Sequence, residues 1–243
     1  MTDHYSLGLT ETDRVDNALG GGLPEGSVVL IEGEDGAGKS ALSQRFSYGM
    51  AEEGSYVTYV STELESWEFV QQMHSLSYDV VDHLLGEQML FLHANVDTHT
   101  HSRGKKRQLL ARLADAETLW RADVVYVDTL SALLRNDPNF EAADPADTDH
   151  VLQRLVTFLR QVTLQDKTVV LTVDPTSVDD DALRPLRNVA DVYFDIETSA
   201  VGQEIRRQIR VRRFQNMKSP VDDSIGFNVQ QGRGVSIVSR TVA

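Results

Sequence analysis

Cysteine is absent from this sequence, lysine is scarce, and no run of apolar residues is long enough to cross a bilayer. Without cysteine the protein forms no disulfide bonds and performs no thiol chemistry. Residues 1–4 are polar and do not resemble the start of a signal peptide. These absences predict a cytoplasmic protein that would reach a membrane only through a partner and would not insert into it directly.

The chain is strongly acidic, with a formal net charge of −14 over 243 residues and a pI of about 4.8. This balance opposes broad binding to nucleic acid, because neutralisation of phosphates by basic residues supplies most of that affinity. Lysine occurs only at positions 39, 105, 106, 167 and 218. An acidic, lysine-poor surface indicates a halophile with a high-salt cytoplasm, where charge keeps proteins soluble. An ordinary acidic protein is the open alternative.

Apolar runs and helical patterns alternate along the chain, which is typical of a parallel sheet covered by helices on both faces. The runs that predict strands are 27–31, 56–61, 89–94, 124–127, 168–173 and 191–196. Apolar residues at near-helical spacing predict helices over 103–120 and 149–164. Further strand-like segments without helices between them are 203–214, 225–229 and 235–238. We therefore expect one α/β domain spanning residues 1–243, with a C-terminal antiparallel extension of its largely parallel sheet.

A phosphate-binding P-loop, G-x-x-x-x-G-K-S, lies between a strand-like run and the start of a helix. It consists of Gly33, Glu34, Asp35, Gly36, Ala37, Gly38, Lys39 and Ser40, and Ala41 follows in the helix. Its glycines allow several backbone N–H groups to point at one anion, and the helix N-terminus adds partial positive charge. We predict that these residues bind the phosphates of ATP, with Lys39 at the β- and γ-phosphates and the Ser40 hydroxyl on Mg²⁺.

Two acidic residues follow other strand-like runs. Asp128 ends the run 124–128, where P-loop proteins place an aspartate that holds Mg²⁺ through water or the P-loop hydroxyl. No glutamate stands beside Asp128, so a general base must come from elsewhere. Glu63 follows the run 56–61 and is the candidate catalytic residue that would orient or deprotonate the attacking water. Alternatively, Glu63 belongs to a helix cap formed around Thr62 and Glu65.

Several stretches resemble a known family. Residues 13–27, D-R-V-D-N-A-L-G-G-G-L-P-E-G-S, are similar to the segment that leads into the P-loop strand of RecA/KaiC-type ATPases. Residues 59–63 resemble the recombinase segment that ends in a catalytic glutamate, although Ser61 stands where those recombinases carry aspartate. KaiC carries adjacent glutamates there, whereas this chain has only Glu63. Residues 31–40, 56–64, 126–131 and 172–183 resemble the FlaH family (also called ArlH), the KaiC-like ATP-binding proteins of the archaellum motor.

The resemblance covers nearly the whole chain and implies a RecA/KaiC-type P-loop fold. It further implies a regulator or scaffold whose nucleotide state controls assembly and contact with the motor ATPase FlaI and the membrane platform FlaJ. Such a protein would lie at the inner face of the cell membrane through the motor complex. We expect weak or no intrinsic ATPase activity and a homo-oligomeric ring, most simply a hexamer.

Five arginines lie within residues 205–214. As a strand, this segment would place Arg206, Arg210 and Arg212 on one face and Ile205, Ile209 and Val211 on the other. RecA-type rings place a basic residue from this region against a neighbour's nucleotide, so the resemblance assigns that role to Arg212 or Arg213. Arginine suits it because its guanidinium binds phosphate bidentately. A solvated face of an edge strand is the alternative.

Two other functions remain open from the sequence. A DNA-dependent ATPase related to RecA and RadA is one, although the acidic balance and the missing DNA-binding domain count against it. A KaiC-like autokinase or signalling ATPase is the other, because Thr62 is expected near the phosphates and phosphate on Thr62 would favour it.

Overall fold

Strands and helices alternate along most of the chain in the computed structural model, which describes residues 3–96, 109–137, 140, 145–201 and 204–238. The strands are β1 (His4–Tyr5), β2 (Leu23–Pro24), β3 (Val28–Gly33), β4 (Val57–Ser61), β5 (Met89–His93), β6 (Val124–Asp128), β7 (Thr168–Val173), β8 (Val192–Val201), β9 (Glu204–Phe214), β10 (Ser224–Gln230) and β11 (Gly234–Ile237). The helices are α1 (Val15–Ala18), α2 (Lys39–Glu52), α3 (Ser66–Ser75), α4 (Val81–Leu85), α5 (Leu109–Ala114), α6 (Leu130–Asn136), α7 (Pro145–Thr163) and α8 (Asp180–Val189).

One nine-stranded sheet has the order β11-β10-β9-β8-β3-β7-β6-β4-β5. From β8 to β5 the neighbouring strands are parallel, and from β8 to β11 they are antiparallel. Every residue of β3, β4, β6 and β7 is buried, as expected for strands covered on both faces. The predicted parallel sheet with a C-terminal antiparallel extension is thereby confirmed.

The two faces of the sheet bury separate apolar clusters. One cluster lies beneath α2 and α3 and includes Phe46, Met50 and Phe69. The other lies beneath α6, α7 and α8 and includes Leu133 and Leu159. Burying each such side chain stabilises the fold by about 1.5–3 kcal/mol. This packing on both faces fixes the central strands and hence the loops at their carboxyl ends, where β3 leads into α2.

The predicted helix over 103–120 is wrong in its C-terminal part, and residues 97–108 lie outside the described residues. Helix α5 ends at Ala114, and a separate 3₁₀ turn covers Leu119–Arg121. The chain turns here because Leu119 is buried while the indole N–H of Trp120 donates to the carbonyl of Leu113 over 2.9 Å. No helix in the described part of the chain is long and apolar enough to span a membrane.

The N-terminal segment is held against α2 by a fully buried arginine. The guanidinium of Arg45 pairs with Asp13 and also donates to the carbonyls of Leu7 and Gly8. A Cβ atom at Gly49, one turn further along α2, would lie 1.8 Å from the carbonyl oxygen of Leu7. Only glycine therefore permits this close approach between the N-terminal segment and the helix that begins at the P-loop.

Candidate nucleotide site

The P-loop forms a tight turn between β3 and α2. Gly36 and Gly38 have φ angles of 73° and 101°, in the left-handed region that favours glycine, and Gly38 is the N-cap of α2. A Cβ atom at Gly33 would lie 3.2 Å from Ile196 on the neighbouring strand β8. The loop therefore packs closely against the sheet and carries the backbone conformation of an anion-binding cradle, with the amino end of α2 directed at the same place.

Lys39 places its charge inside this loop. Its side chain is largely buried, and its Nζ donates a hydrogen bond to the carbonyl of Glu34 over 2.8 Å. Glu34 and Asp35 themselves are exposed. The ammonium group thus lies within the turn, where a phosphate group would receive a charge-assisted hydrogen bond from it.

Asp128, at the end of β6, is held by three hydroxyl groups. The Ser40 hydroxyl donates to Oδ1 over 3.1 Å, and that of Thr172 donates to the same oxygen over 2.6 Å. The Tyr59 hydroxyl donates to Oδ2 over 2.8 Å. This arrangement fixes the carboxylate beside the P-loop serine. The binding of Mg²⁺ by this pair stays a prediction.

The donor set fits magnesium bound together with a nucleotide. Mg²⁺ prefers oxygen ligands and is commonly held by one or two protein side chains plus substrate phosphates and water. Ser40 and Asp128 supply a hydroxyl and a carboxylate of this kind. Within the described ranges, no group of three or more His, Cys, Asp or Glu side chains could hold a metal ion by itself.

Glu63 lies close to the end of β6, because Ser61 of β4 pairs with Asp128 of β6. Oε1 of Glu63 accepts a hydrogen bond from the Thr129 hydroxyl over 3.2 Å. The capping box of α3 is formed by Glu65 and Glu68 instead, so Glu63 is not part of the helix cap. The catalytic role of Glu63 stays a prediction, now with the side chain at the carboxyl edge of the sheet.

Thr62 is buried, and its hydroxyl accepts a hydrogen bond from the backbone N–H of Thr129 over 3.0 Å. Its own N–H donates to the carbonyl of Asp128 over 2.6 Å. These bonds join the ends of β4 and β6. Thr62 therefore has a structural role at the site, in addition to the predicted contact with phosphate.

Arg212 and Arg213 make different contacts within the subunit. Arg212 is half exposed and forms an ion pair with Asp195, 2.7 Å away, which raises the pKa of the arginine through their hydrogen bond. Arg213 donates to the carbonyls of Arg187 and Ala190 over 2.8 and 2.6 Å, at the C-terminal end of α8. Arg212 thus remains near solvent, whereas Arg213 caps a helix.

The predicted faces of β9 are largely observed. Arg206, Arg210 and Arg212 are exposed, Ile209 is fully buried and Val211 is partly buried. Ile205 was expected on the buried face but is 58% exposed. It lies at the outer end of the β8–β9 pair, opposite Ala200, where the strand has passed beyond the core.

The sequence gives no reason to single out Arg207, yet this residue lies against the P-loop. A Cβ atom at Gly38 would lie 3.3 Å from Cδ and 3.4 Å from Nε of Arg207. Strand alternation predicts that Arg207 and Arg206 point to opposite faces of the sheet, but it does not predict which residues Arg207 contacts.

Comparison with known proteins agrees with this geometry. The family described as "ATPase: KaiC" matches residues 9–242 of the chain. The archaeal flagellar ATP-binding protein FlaH of Methanocaldococcus jannaschii is 30% identical over 231 residues, which is 95% of this chain and 94% of the relative. FlaH of Methanococcus voltae is 29% identical over 233 residues, 96% of each chain. The crystal structure of M. jannaschii FlaH has a TM-score of 0.86 at 28% identity and covers 98% of this chain and 100% of its own.

Proposed function

The chain belongs to the KaiC family of ATPases and, within it, to the archaeal flagellar ATP-binding FlaH proteins, and from this premise we propose that it is a nucleotide-dependent regulator of the archaellum motor. The observation that carries the proposal is the contact between Ser40 and Asp128, 3.1 Å apart, at the amino end of α2. The contact joins a hydroxyl and a carboxylate of the kind that would hold the Mg²⁺ of Mg-ATP at a P-loop.

Residues 33–41 would hold the phosphates through backbone N–H groups, and Lys39 would donate to the β- and γ-phosphates. Ser40 and Asp128 would hold Mg²⁺, which when bound would neutralise negative charge on the β- and γ-phosphates. Tyr59 and Thr172 keep the Asp128 carboxylate in position through their hydroxyl groups. The site is thus supported from three neighbouring strands, β4, β6 and β7.

Hydrolysis is proposed to be slow. Thr129, not a glutamate, follows Asp128, and the exposed Glu63 is the candidate to position water. Its carboxylate is held by one hydrogen bond from Thr129. A base that is loosely positioned contributes less to catalysis than one fixed by several contacts. ATP would therefore act mainly by being bound, and its hydrolysis would contribute little.

The bound nucleotide is proposed to favour a homo-oligomeric ring, most simply a hexamer, that docks on the motor ATPase FlaI and the membrane platform FlaJ. The protein would then be cytoplasmic and would lie against the inner face of the membrane through these partners. ATP can favour such an assembly only by binding more tightly to the assembled state. What supports these finer points is the resemblance of residues 31–40, 56–64, 126–131 and 172–183 to FlaH proteins.

A pull-down from native cytoplasm tests the proposal. Tagged wild-type protein and Lys39→Ala are each used with Mg-ATP and with EDTA, and FlaI and FlaJ are detected by immunoblot. We expect both partners with wild type in Mg-ATP and much less in the other three samples. Equal recovery in all four samples would contradict nucleotide control. Absence of both partners throughout, with strong DNA-stimulated ATPase activity, would favour the recombinase-like alternative.

A further inference from the structure

The arginines of β9 differ in what their guanidinium groups contact. Arg210 pairs with Glu197 over 3.0 Å, and Arg212 pairs with Asp195. Arg213 caps α8, and Arg206 is exposed to solvent. Arg207 is the exception, because its Nε is buried and has no hydrogen-bond partner. Among the described residues, Gln44 also has buried side-chain polar atoms that lack a hydrogen-bond partner.

The unpartnered Nε–H of Arg207 lies beside the P-loop. Its Cδ and Nε would lie 3.3 and 3.4 Å from a Cβ atom at Gly38, the residue immediately before Lys39. Phe227, the residue opposite Arg207 on β10, would lie 3.4 Å from the same Cβ and is fully buried. The arginine stem is therefore confined between the P-loop and β10, with Nε against the turn at which the backbone N–H groups converge.

A buried guanidinium N–H without an acceptor is unfavourable, because it has lost its hydrogen bonds to water and gained none. No ion pair joins Arg207 to a carboxylate within the described residues. The group next to it that would carry acceptors is the nucleotide proposed to bind at the P-loop. Guanidinium groups bind phosphate oxygens with two parallel hydrogen bonds, which a lysine ammonium cannot reproduce.

We propose that Arg207 binds the phosphate chain of the nucleotide held by the P-loop of its own subunit, an inference that rests on the proposed function. This role differs from that of Arg212, which would act on a neighbouring subunit. Arg207 acts within one chain and therefore sets the affinity of the monomer. β9 would then carry two arginines that bind phosphate: Arg207 at the nucleotide of its own subunit and Arg212 at that of a neighbouring subunit.

Calorimetric titrations with Mg-ATP and with inorganic tripolyphosphate test this assignment. They compare wild type, Arg207→Ala, Arg207→Lys, Lys39→Ala and the matched control Arg206→Ala, at concentrations where light scattering shows monomers. Arg207→Ala should weaken binding of both ligands by about tenfold, the usual size of one charge-assisted hydrogen bond. Arg207→Lys should restore part of the loss, and Arg206→Ala should bind as wild type does.

Thermal unfolding separates this role from a merely structural one. Without nucleotide, Arg207→Ala should unfold at the wild-type temperature or above it, because an unpartnered buried N–H is removed. The rise in unfolding temperature on adding Mg-ATP should be smaller than in wild type. A lower unfolding temperature without nucleotide, together with an unchanged rise on adding it, would assign Arg207 to packing alone and overturn the proposal.

The remaining outcomes are also decisive. Wild-type affinity in Arg207→Ala, with binding lost in Lys39→Ala, would overturn the role of Arg207 and leave the proposed function intact. Weaker binding of ATP with unchanged binding of tripolyphosphate would place Arg207 on the nucleoside and overturn its assignment to phosphate. Failure of the wild-type protein to bind either ligand would overturn the proposed function and this inference with it.

Discussion

The hydroxyl group of Tyr59 on β4 donates a hydrogen bond to Oδ2 of Asp128 on β6, over 2.8 Å, in the fully buried interior of the sheet. Burial of the ring and the negative charge of Asp128 together raise the pKa of Tyr59 well above its ordinary value. The hydroxyl therefore stays protonated at neutral pH and remains a donor to the carboxylate. We regard Tyr59 as a residue that positions Asp128 for Mg²⁺.

Tyr59→Phe should weaken ATP binding in the presence of Mg²⁺ by about fivefold, because removing one hydrogen bond costs about 1 kcal/mol. Binding of ATP in EDTA should not change, since the P-loop is intact. Titration calorimetry under both conditions measures the difference. Tyr126→Phe is the matched control, because this neighbouring buried tyrosine donates to Sδ of Met50 instead. An equal loss in EDTA would contradict a role through the metal ion.

Lys39→Ala should weaken nucleotide binding by about 1.5–3 kcal/mol, the usual contribution of a hydrogen bond to a charged group. The Lys39 ammonium lies inside the loop, where its Nζ donates to the carbonyl of Glu34. Lys167→Ala is the control, because Lys167 pairs with Asp123, 3.7 Å away, just before β6 begins. Unchanged affinity of Lys39→Ala for Mg-ATP in calorimetry would refute the P-loop assignment.

Glu63→Gln should abolish the slow ATPase activity and leave ATP affinity close to that of wild type. A base that acts on water contributes about 10²–10⁴-fold to the rate. Release of phosphate over several hours, measured with excess protein, is sensitive enough for a slow enzyme. Glu65→Gln is the control, since Glu65 caps α3. Hydrolysis at the wild-type rate in Glu63→Gln would exclude this role.

Arg212→Ala should reduce ATP-dependent assembly more than it reduces ATP binding by the monomer. Arg213→Ala should instead lower stability, because it removes two hydrogen bonds from the end of α8. Light scattering with and without ATP distinguishes the two variants, and Arg210→Ala is the surface control. High salt is essential, because copies with a charge of −14 repel each other strongly when screening is weak. If ATP did not change the assembly of the wild-type protein, the proposal that Arg212 contacts a neighbouring subunit's nucleotide would be refuted.

Asp13→Ala should destabilise the fold by about 3–5 kcal/mol, because it leaves the guanidinium of Arg45 buried without its counter-ion. Denaturant unfolding followed by circular dichroism gives this value. The exposed pair of Asp181 and Arg184 on α8 supplies the control, and Asp181→Ala should have little effect. A small change in Asp13→Ala would mean that water reaches Arg45 once the carboxylate is removed.

The sequence predicts those parts of the site that are formed by residues consecutive in the chain. The P-loop and the strand that ends at Asp128 each carry a local pattern of glycine or apolar residues. The contacts of Tyr59 and Arg207 were not predicted, because each depends on which strands become neighbours. Alternation shows that Arg207 points away from Arg206, but only the order β9-β8-β3 brings it to Gly38. Ile205 was placed on the buried face because alternation carries no information about where the core ends.

The sheet order also has a consequence for biosynthesis. β3, which leads into the P-loop, pairs with β7 and β8, and these strands begin only at Thr168 and Val192. During translation the P-loop strand therefore leaves the ribosome long before either of its partners exists. β4 and β6 also come before β7, which joins them to β3. An emerging chain consequently cannot hold ATP in its finished site until most of its length has been made, and its apolar strands stay without their sheet partners during that interval.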